Sequence, residues 1–223
     1  MLNKQKGNMY GFVTHTWNPI KGKCSHDCSY CYMKVFPQGK LRLDEKDLKI
    51  DLGENNFIFV GSSTDMFADN VPEEWIKRVL WQCSLFSNKY LFQSKNPKRM
   101  FEFEKDLPKS GVVATTIESD CNYKYSNAPF MEERAYWLKE IKRTRMITIE
   151  PIMDFNLKVL PLLIFKTKPK WVNIGADSKG HNLPEPSWEK VQELIKELEK
   201  FTEVKVKDNL KRLKGRRKEN EKD

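Results

Sequence analysis

Several common signatures are missing from this sequence. It contains no glycine-rich dinucleotide fingerprint and no phosphate-cradling loop of the P-loop kind, so neither of these nucleotide-binding folds is indicated. The longest apolar run, residues 159–165, is interrupted by Pro161 and is far too short to span a bilayer. The N-terminal residues carry charge and lack the apolar segment of a secretory signal. We therefore expect a cytoplasmic protein that has no membrane partner.

Cysteine is also scarce, with five among 223 residues, and an odd number argues against a disulfide framework. Three of the five lie close together, at Cys24, Cys28 and Cys31. Thiolates are soft ligands that favour iron–sulfur clusters, zinc or copper(I). Four cysteines close a cluster or a zinc site, whereas three leave one coordination position open. The spacing C-x3-C-x2-C therefore predicts a metal centre that can hold a substrate or cofactor.

Two other interpretations of these thiols stay open. A structural zinc ion would need a fourth ligand. His26 is a candidate, although it lies only two residues from two of the cysteines, and Cys83 or Cys121 would have to close the site from a distance. Thiols without any metal are the other alternative. Cys83 itself falls on the apolar face of a predicted helix, which indicates a small core residue.

The net charge of +9 is unevenly distributed along the chain. Residues 211–223 hold seven basic and three acidic side chains, a net of +4, which leaves +5 for the rest. We predict one domain over residues 1–210, followed by a basic, disordered tail over residues 211–223. A positive balance makes a polyanion such as nucleic acid a candidate partner.

Short strands rich in β-branched and aromatic residues alternate with amphipathic helices. The strands are predicted at residues 10–16, 57–61, 90–93, 112–117, 146–149 and 171–174, with a seventh candidate at 204–206. Helices are predicted at residues 72–83, 96–105, 129–143 and 187–198, and a short or broken helix around Pro161. This alternation is typical of an α/β fold with a parallel sheet and outer helices, either a barrel or an open fragment of one.

Polar residues follow the predicted strands, at the edge where parallel barrels carry their sites. The cysteine loop follows the first strand. The later strand ends carry Ser62, Ser63, Asp65, Lys95, Glu118, Glu150 and Asp177. Any one of these residues has an ordinary explanation as a helix cap or a solvated loop residue. Their recurrence at every strand end predicts a single shared site.

The cysteine loop, with Tyr30 directly before its last cysteine, resembles that of the radical S-adenosylmethionine (SAM) enzymes. Other segments are similar to the phage-associated radical-SAM-like family of unknown function and, more distantly, to spore photoproduct lyase-like proteins. Residues 16–19, 61–67 and 93–99 carry both likenesses, and residues 149–151 and 171–175 match the phage-associated family. The resemblance covers about residues 10–210 and implies a partial (β/α)6 TIM-like barrel of parallel strands with outer helices.

The resemblance also implies roles for the residues around the cysteine loop. The three cysteines would hold a four-iron four-sulfur cluster whose open iron binds SAM, and the backbone near Tyr30 would hold the adenine. Ser62, Ser63 and Asp65 stand where many of these enzymes have glycine-glycine-glutamate. A carboxylate with hydroxyl groups can bind the SAM ammonium at that position.

The remaining strand ends would complete the site. Glu118 and Glu150 would hydrogen-bond ribose or substrate, and Lys95 would pair with the SAM carboxylate or a substrate anion. Asp177 would contribute to cofactor binding. Cys121, just past the fourth strand, is either a hydrogen-atom donor or an inert loop cysteine.

Two functions follow from the sequence. The first is an enzyme that cleaves SAM reductively and abstracts a hydrogen atom. Its candidate substrate is a nucleic acid or nucleotide, and its electron donor would be an external flavodoxin- or ferredoxin-type protein. The alternative is a non-catalytic iron–sulfur or zinc module that binds nucleic acid. The polar strand ends favour the enzyme, because a structural metal needs only its ligands and the groups that orient them.

Overall fold

The structure is a computed structural model that describes residues 1–5 and 9–215. The strands are β1 (Leu2–Lys4), β2 (His15–Trp17), β3 (Ile20–Lys21), β4 (Arg42–Leu43), β5 (Phe57–Val60), β6 (Lys89–Gln93), β7 (Gly111–Thr116), β8 (Thr144–Ile149), β9 (Trp171–Ile174) and β10 (Glu203–Val206). The α-helices are α1 (Glu45–Leu48), α2 (Glu73–Ser84), α3 (Pro97–Glu102), α4 (Met131–Glu140), α5 (Leu160–Thr167) and α6 (Trp188–Glu199). Short 3-10 helices cover Tyr32–Val35 and Asp208–Gly215.

The central sheet has eight strands in the order β1-β2-β5-β6-β7-β8-β9-β10. All neighbours from β2 onward are parallel, and only β1 on the edge is antiparallel. Every residue of β7 is buried, as expected for a parallel strand covered on both faces. β1 and β10 are the two edge strands, and within the described part of the chain they do not pair with each other, so the sheet is open. This architecture confirms the predicted fold class, including the seventh strand candidate.

Apolar side chains alternate between two faces of the sheet, since neighbouring residues of a strand point in opposite directions. Val60, Phe92 and Ile147 belong to the large core between the sheet and the helices. Leu91 and Met146 belong to a smaller core on the inner face, together with residues from the segment before β2.

That segment corrects the predicted first strand, residues 10–16. The strand begins only at His15, and residues 10–13 form a turn in which the Val13 amide donates to the Tyr10 carbonyl over 3.0 Å. Tyr10 and Val13 are buried in the inner core, and the Phe12 ring stacks on Tyr10. The turn lets Tyr10 and Val13 pack in the same core, whereas an extended strand would point these two side chains to opposite faces of the sheet.

A small antiparallel pair, β3 with β4, joins the two ends of the segment that contains the cysteine loop. Sequence patterns missed it because each strand has only two residues. Gly22 has a φ of +111°, and a Cβ there would lie 2.5 Å from the Lys40 carbonyl oxygen. Glycine therefore permits the close approach of the two ends of this segment.

The C-terminal part of the described chain packs on the domain beyond the predicted tail boundary at residue 210. The 3-10 helix Asp208–Gly215 packs on the domain, with Leu210 and Leu213 buried in the main core. The Arg212 guanidinium donates to the Glu185 carboxylate over 2.8 Å. Apolar burial thus fixes the first part of the predicted tail, and residues 216–223 lie outside the described residues.

The helices follow the predicted apolar periodicity. Cys83 is fully buried on α2, as predicted for a core residue. The helix predicted around Pro161 as short or broken is the short helix α5. Pro161 occupies its first turn, where its missing amide hydrogen has no helical partner to lose. Within the described residues, no helix is both long and apolar enough to cross a membrane.

Candidate functional site

A cavity of about 580 Å³ opens at the carboxyl ends of β2, β5 and β6. Its volume falls within the range of small-molecule sites, roughly 300–1,000 Å³. The predicted site residues that line it are Cys24, Cys28, Cys31, Ser62, Ser63, Asp65 and Lys95. The structure therefore brings the cysteine loop together with the polar ends of the next two parallel strands.

The three thiols of the cysteine loop are free and partly exposed. The Cys28 thiol lies 3.3 Å from the Ser126 hydroxyl oxygen. Burial, helped by the nearby Asp65 charge, raises the pKa of the Cys24 thiol to about 12. Among the described residues, no group of three His, Cys, Asp or Glu side chains is arranged to hold a single metal ion. Three soft donors on one cavity wall nevertheless fit a cluster held by three thiolates.

Asp65 is the main link between the cysteine loop and the sheet. Its Oδ2 accepts hydrogen bonds from Ser94 Oγ over 2.9 Å and from the Lys95 amide over 2.8 Å. His26 Nε2, from the cysteine loop, lies 2.9 Å from the same oxygen. Burial opposes ionisation of Asp65, but these hydrogen bonds outweigh it and lower the pKa of the carboxyl. The carboxylate is thus engaged as an anchor of the loop.

The loop after β5 holds the cysteine loop at further points. Thr64 Oγ1 donates to the Gly22 carbonyl over 2.9 Å. The Ser25 amide donates to Asn70 Oδ1 over 3.2 Å. Both segments are therefore fixed relative to each other by hydrogen bonds that do not require a bound cofactor.

A second polar cluster joins the cysteine loop to β6, β7 and α4. Lys95 Nζ and the Tyr30 hydroxyl both donate to Glu118 Oε1, and Lys95 also donates to the Tyr30 hydroxyl. Arg134, from α4, donates to Glu118 Oε2 over 2.9 Å. Tyr30 thereby connects the last cysteine of the loop to the ends of two parallel strands.

The charges of this cluster are mutually stabilised. Burial raises the pKa of Glu118, but Lys95 and Arg134 outweigh it and hold that pKa at about 2. Glu118 in turn raises the pKa of Lys95 above its ordinary value, against the opposing effect of burial. Burial and the Glu118 charge raise the pKa of Tyr30 well above its usual range. Two cations and one carboxylate leave one positive charge in excess, which favours an anionic group in the adjoining cavity.

Cys121 does not line the main cavity. It is exposed and borders a separate cavity of about 40 Å³. Tyr30, Glu118 and residues from the segment 119–131 also line this cavity. The Tyr30–Glu118 contact lines this smaller cavity, whereas Lys95 lines the larger one. The polar cluster is therefore a wall between the two spaces.

Glu150 and Asp177, which the sequence predicts to share one site with the other strand ends, lie outside both cavities. Glu150 accepts from Lys207 Nζ over 2.8 Å and from Asn209 Nδ2 over 3.1 Å. Asp177 Oδ1 lies 2.7 Å from His181 Nδ1. A Cβ at Gly175 would lie 2.7 Å from the Glu150 carboxyl carbon, so glycine makes room for that side chain. The ends of β8 and β9 are thus closed by residues that follow them in the chain.

Sequence reasoning missed several residues of the site: Ser94, Ser126, Arg134 and the anchoring role of His26. Arg134 had a detectable signal, because it is a charged residue on the buried face of a predicted helix. The other contacts join segments far apart in the sequence and leave no periodic pattern.

Comparisons with known proteins identify the family. The family described as "Protein of unknown function (DUF5131)" matches residues 9–201. The chain belongs to this family. No curated relative matches it.

Solved structures of spore photoproduct lyase share the fold of this DUF5131 protein. A single-residue variant has a TM-score of 0.64 at 9% identity, over 91% of this chain and 78% of that one. A second variant, with dinucleoside spore photoproduct, has a TM-score of 0.58 at 9% identity, over 88% of this chain and 64% of that one. A double variant with AdoMet and the same photoproduct has a TM-score of 0.57 at 8% identity, over 88% and 64% of the two chains.

This likeness supports the partial-barrel fold. The DUF5131 chain spans about 64% of the length of two of these neighbours. The resemblance to a phage-associated family gains no support from the comparisons.

Proposed function

We propose that this DUF5131 protein is a radical SAM enzyme that acts on a nucleic acid or nucleotide. The observation that carries the proposal is the set of three free thiols, spaced C-x3-C-x2-C, lining one cavity with the polar ends of β5 and β6. Three thiolates suit a four-iron four-sulfur cluster with an open iron position. The likeness of the fold to spore photoproduct lyase supports the same chemistry.

Cys24, Cys28 and Cys31 would hold the cluster. When bound, the cluster would supply one-electron reduction of SAM, the chemistry needed for abstraction of a hydrogen atom from the substrate. An external flavodoxin- or ferredoxin-type protein would deliver that electron. Because thiolates are the ligands, assembly of the cluster must release the proton of each thiol.

The chain's own residues would bind and orient SAM. Ser62 and Ser63 offer hydroxyl and backbone groups to its ammonium at the cavity wall. Lys95, with the excess positive charge of its cluster, suits the carboxylate. Asp65 acts by holding the cysteine loop through His26, and it is a positioning residue in this proposal.

The remaining predicted residues receive more limited roles. Glu118 orients Lys95 and Tyr30 and touches no open space of the main cavity. Glu150 and Asp177 anchor the ends of β8 and β9. We assign Cys121 the role of a loop cysteine, because the Tyr30–Glu118 wall lies between it and the main cavity.

The substrate class rests on two observations. Two of the neighbouring structures hold a dinucleoside photoproduct, and the net charge of this chain is +9. A positive protein attracts polyanions at long range. A base must also leave its stack to reach the cavity, so single-stranded, damaged or flipped-out nucleotides are the expected substrates.

The test is the formation of 5′-deoxyadenosine. Protein reconstituted with iron and sulfide in the absence of oxygen is incubated with SAM and dithionite, and the nucleoside is measured by chromatography. We expect it with the natural chain and with Cys83→Ala, and we expect none when Cys24, Cys28 and Cys31 are all replaced by Ala. A protein that binds nucleic acid but leaves SAM intact would favour the non-catalytic metal module instead.

A further inference from the structure

The segment that follows the cysteine loop exposes an apolar surface at the mouth of the cavity. Its 3-10 helix, Tyr32–Val35, has no buried residue. Tyr32, Val35 and Phe36 are 46%, 62% and 56% exposed. We call residues 32–42 the rim segment. Tyr32 and Phe36 line the cavity, so the exposed rings border its entrance.

The conformation of the rim segment is fixed by hydrogen bonds that leave these side chains uncovered. Gln38 Nε2 donates to the Met33 carbonyl over 2.6 Å, and the Lys23 amide donates to the Gly39 carbonyl over 3.2 Å. The Tyr32 hydroxyl donates to the Ser62 carbonyl over 2.9 Å. An ordered apolar surface beside a cavity is typical of an interaction site.

The charge of the rim segment has one sign. It contains Lys34, Lys40 and Arg42 and no acidic residue. Lys34 pairs with Asp27 over 3.0 Å. Lys40 and Arg42 are exposed, and neither forms an ion pair with any residue that the structure describes. Two cations without carboxylate partners, in the same short segment as the exposed rings, suit an anionic partner that also has flat apolar faces.

We propose that the rim segment is a docking surface for single-stranded nucleic acid. Bases stack on Phe36 and Tyr32, and the phosphates pair with Lys40 and Arg42. Single strands fit because their base faces are free, whereas a duplex covers these faces with neighbouring pairs. The inference deepens the proposed function and rests on it for one point, the delivery of a neighbouring nucleotide into the cavity.

Binding can be measured without any SAM chemistry, so failure of this inference is distinguishable from failure of the proposed function. Fluorescence anisotropy of the full chain is recorded with a labelled thymidine oligomer, with an abasic oligomer of equal phosphate number, and with the matching duplex. We expect the thymidine oligomer to bind best. Phe36→Leu should weaken its binding by about tenfold, because the ring is lost while apolar bulk is kept. The abasic oligomer should be insensitive to this change.

Two matched controls separate stacking and phosphate pairing from general effects. Trp81→Leu removes an equally exposed ring, 64% accessible on α2, and should leave binding unchanged. Replacing Lys40 and Arg42 with Gln should lower the slope of log affinity against log salt by about 1.4, or 0.7 for each lost phosphate contact. Replacing the exposed Lys139 and Lys166 with Gln removes equal charge from the outer helices and should change that slope less.

Equal binding of the thymidine and abasic oligomers, unaffected by Phe36→Leu, would overturn the proposal. So would binding of anionic phospholipid vesicles through Phe36 without binding of the oligomers. In either case the assay of SAM cleavage would still report on the cluster independently.

Discussion

The polar residues at the carboxyl ends of the strands behave differently in the two halves of the sheet. On the cavity side, at the ends of β2, β5 and β6, side chains such as Ser62 and Lys95 border open space. On the closed side, at the ends of β8 and β9, Glu150 and Asp177 are bound by Lys207 and His181. The same sequence pattern therefore produces a cavity wall in one place and a loop anchor in the other. The difference depends on which later segment covers the strand end.

On the closed side, the partners of Glu150 come from the C-terminal segment. Lys207 follows β10 directly, and Asn209 lies in the 3-10 helix after it. Asn209 also donates to the Ala176 carbonyl over 2.7 Å. At the ends of β5 and β6 the cysteine loop is held by Asp65 and Lys95 instead. A cavity of about 580 Å³ remains between the loop and these strand ends.

The largest effect is expected from Glu118→Gln. It leaves the buried cations Lys95 and Arg134 without their carboxylate, and loss of one partner in such a group costs about 3–5 kcal/mol. Urea denaturation measures the free energy of unfolding. Glu133→Gln, at an exposed position of α4, is the control and should have little effect. Equal stability of the two variants would contradict the account.

The Glu118 carboxylate also makes the free energy of unfolding depend on pH. The folded pKa of Glu118 is about 2, below its ordinary value of 4.5. The carboxylate therefore stabilises the fold above its ordinary pKa, and this contribution is lost as the pH falls from about 4.5 towards 2. We expect the free energy of unfolding of Glu118→Gln to vary less over this interval than that of the natural chain.

The next effect concerns the segment that covers the closed side. A chain ending after Leu210 loses Leu213, which is 1% exposed, and the Arg212–Glu185 pair. We expect thermal and urea unfolding to show a loss of about 3 kcal/mol, comparable with removal of a buried leucine. A chain ending after Gly215 keeps both contacts and is the reference for this loss. If both truncations were equally stable, the 3-10 helix would not contribute to the closed side.

On the cavity side, Asp65→Asn should weaken SAM binding by removing the charged anchor of His26. A loss of about 1.5–3 kcal/mol is expected, measured by titration of the reduced protein with SAM. His26→Gln should give a similar loss of SAM affinity. The double variant should lose little more, because both changes break the same contact between His26 and Asp65. Additive losses would indicate that Asp65 touches SAM directly.

The smallest effect is expected from Glu150→Gln. The neutral amide weakens the contact with Lys207, so stability should fall by about 1–2 kcal/mol. SAM affinity should be unchanged, since Glu150 lies outside the cavity. A loss of SAM affinity without a loss of stability would indicate that Glu150 contributes to SAM binding and is not an anchor of the closed side.

Much of the fold could be predicted from the sequence because its signals are local. The buried β-rich runs and the helix caps at Asn96 and Ser187 mark the α/β alternation directly. The turn at Tyr10 was missed because an apolar, aromatic run looks the same whether it pairs as a strand or packs inside a sheet. The role of Glu150 was also missed, since its partner Lys207 is 57 positions away. Patterns at strand ends give the position of a residue but not the segment that covers it.

The central claim is that the cysteine loop holds a cluster on the cavity side, and metal analysis of the anaerobically reconstituted protein tests it most directly. We expect a brown protein with about four irons per chain, and a change in the electron paramagnetic resonance signal of the reduced protein when SAM is added. Cys83→Ala should retain both features, and replacing Cys24, Cys28 and Cys31 with Ala should remove both. A colourless protein with one stoichiometric zinc ion under the same conditions would contradict the account.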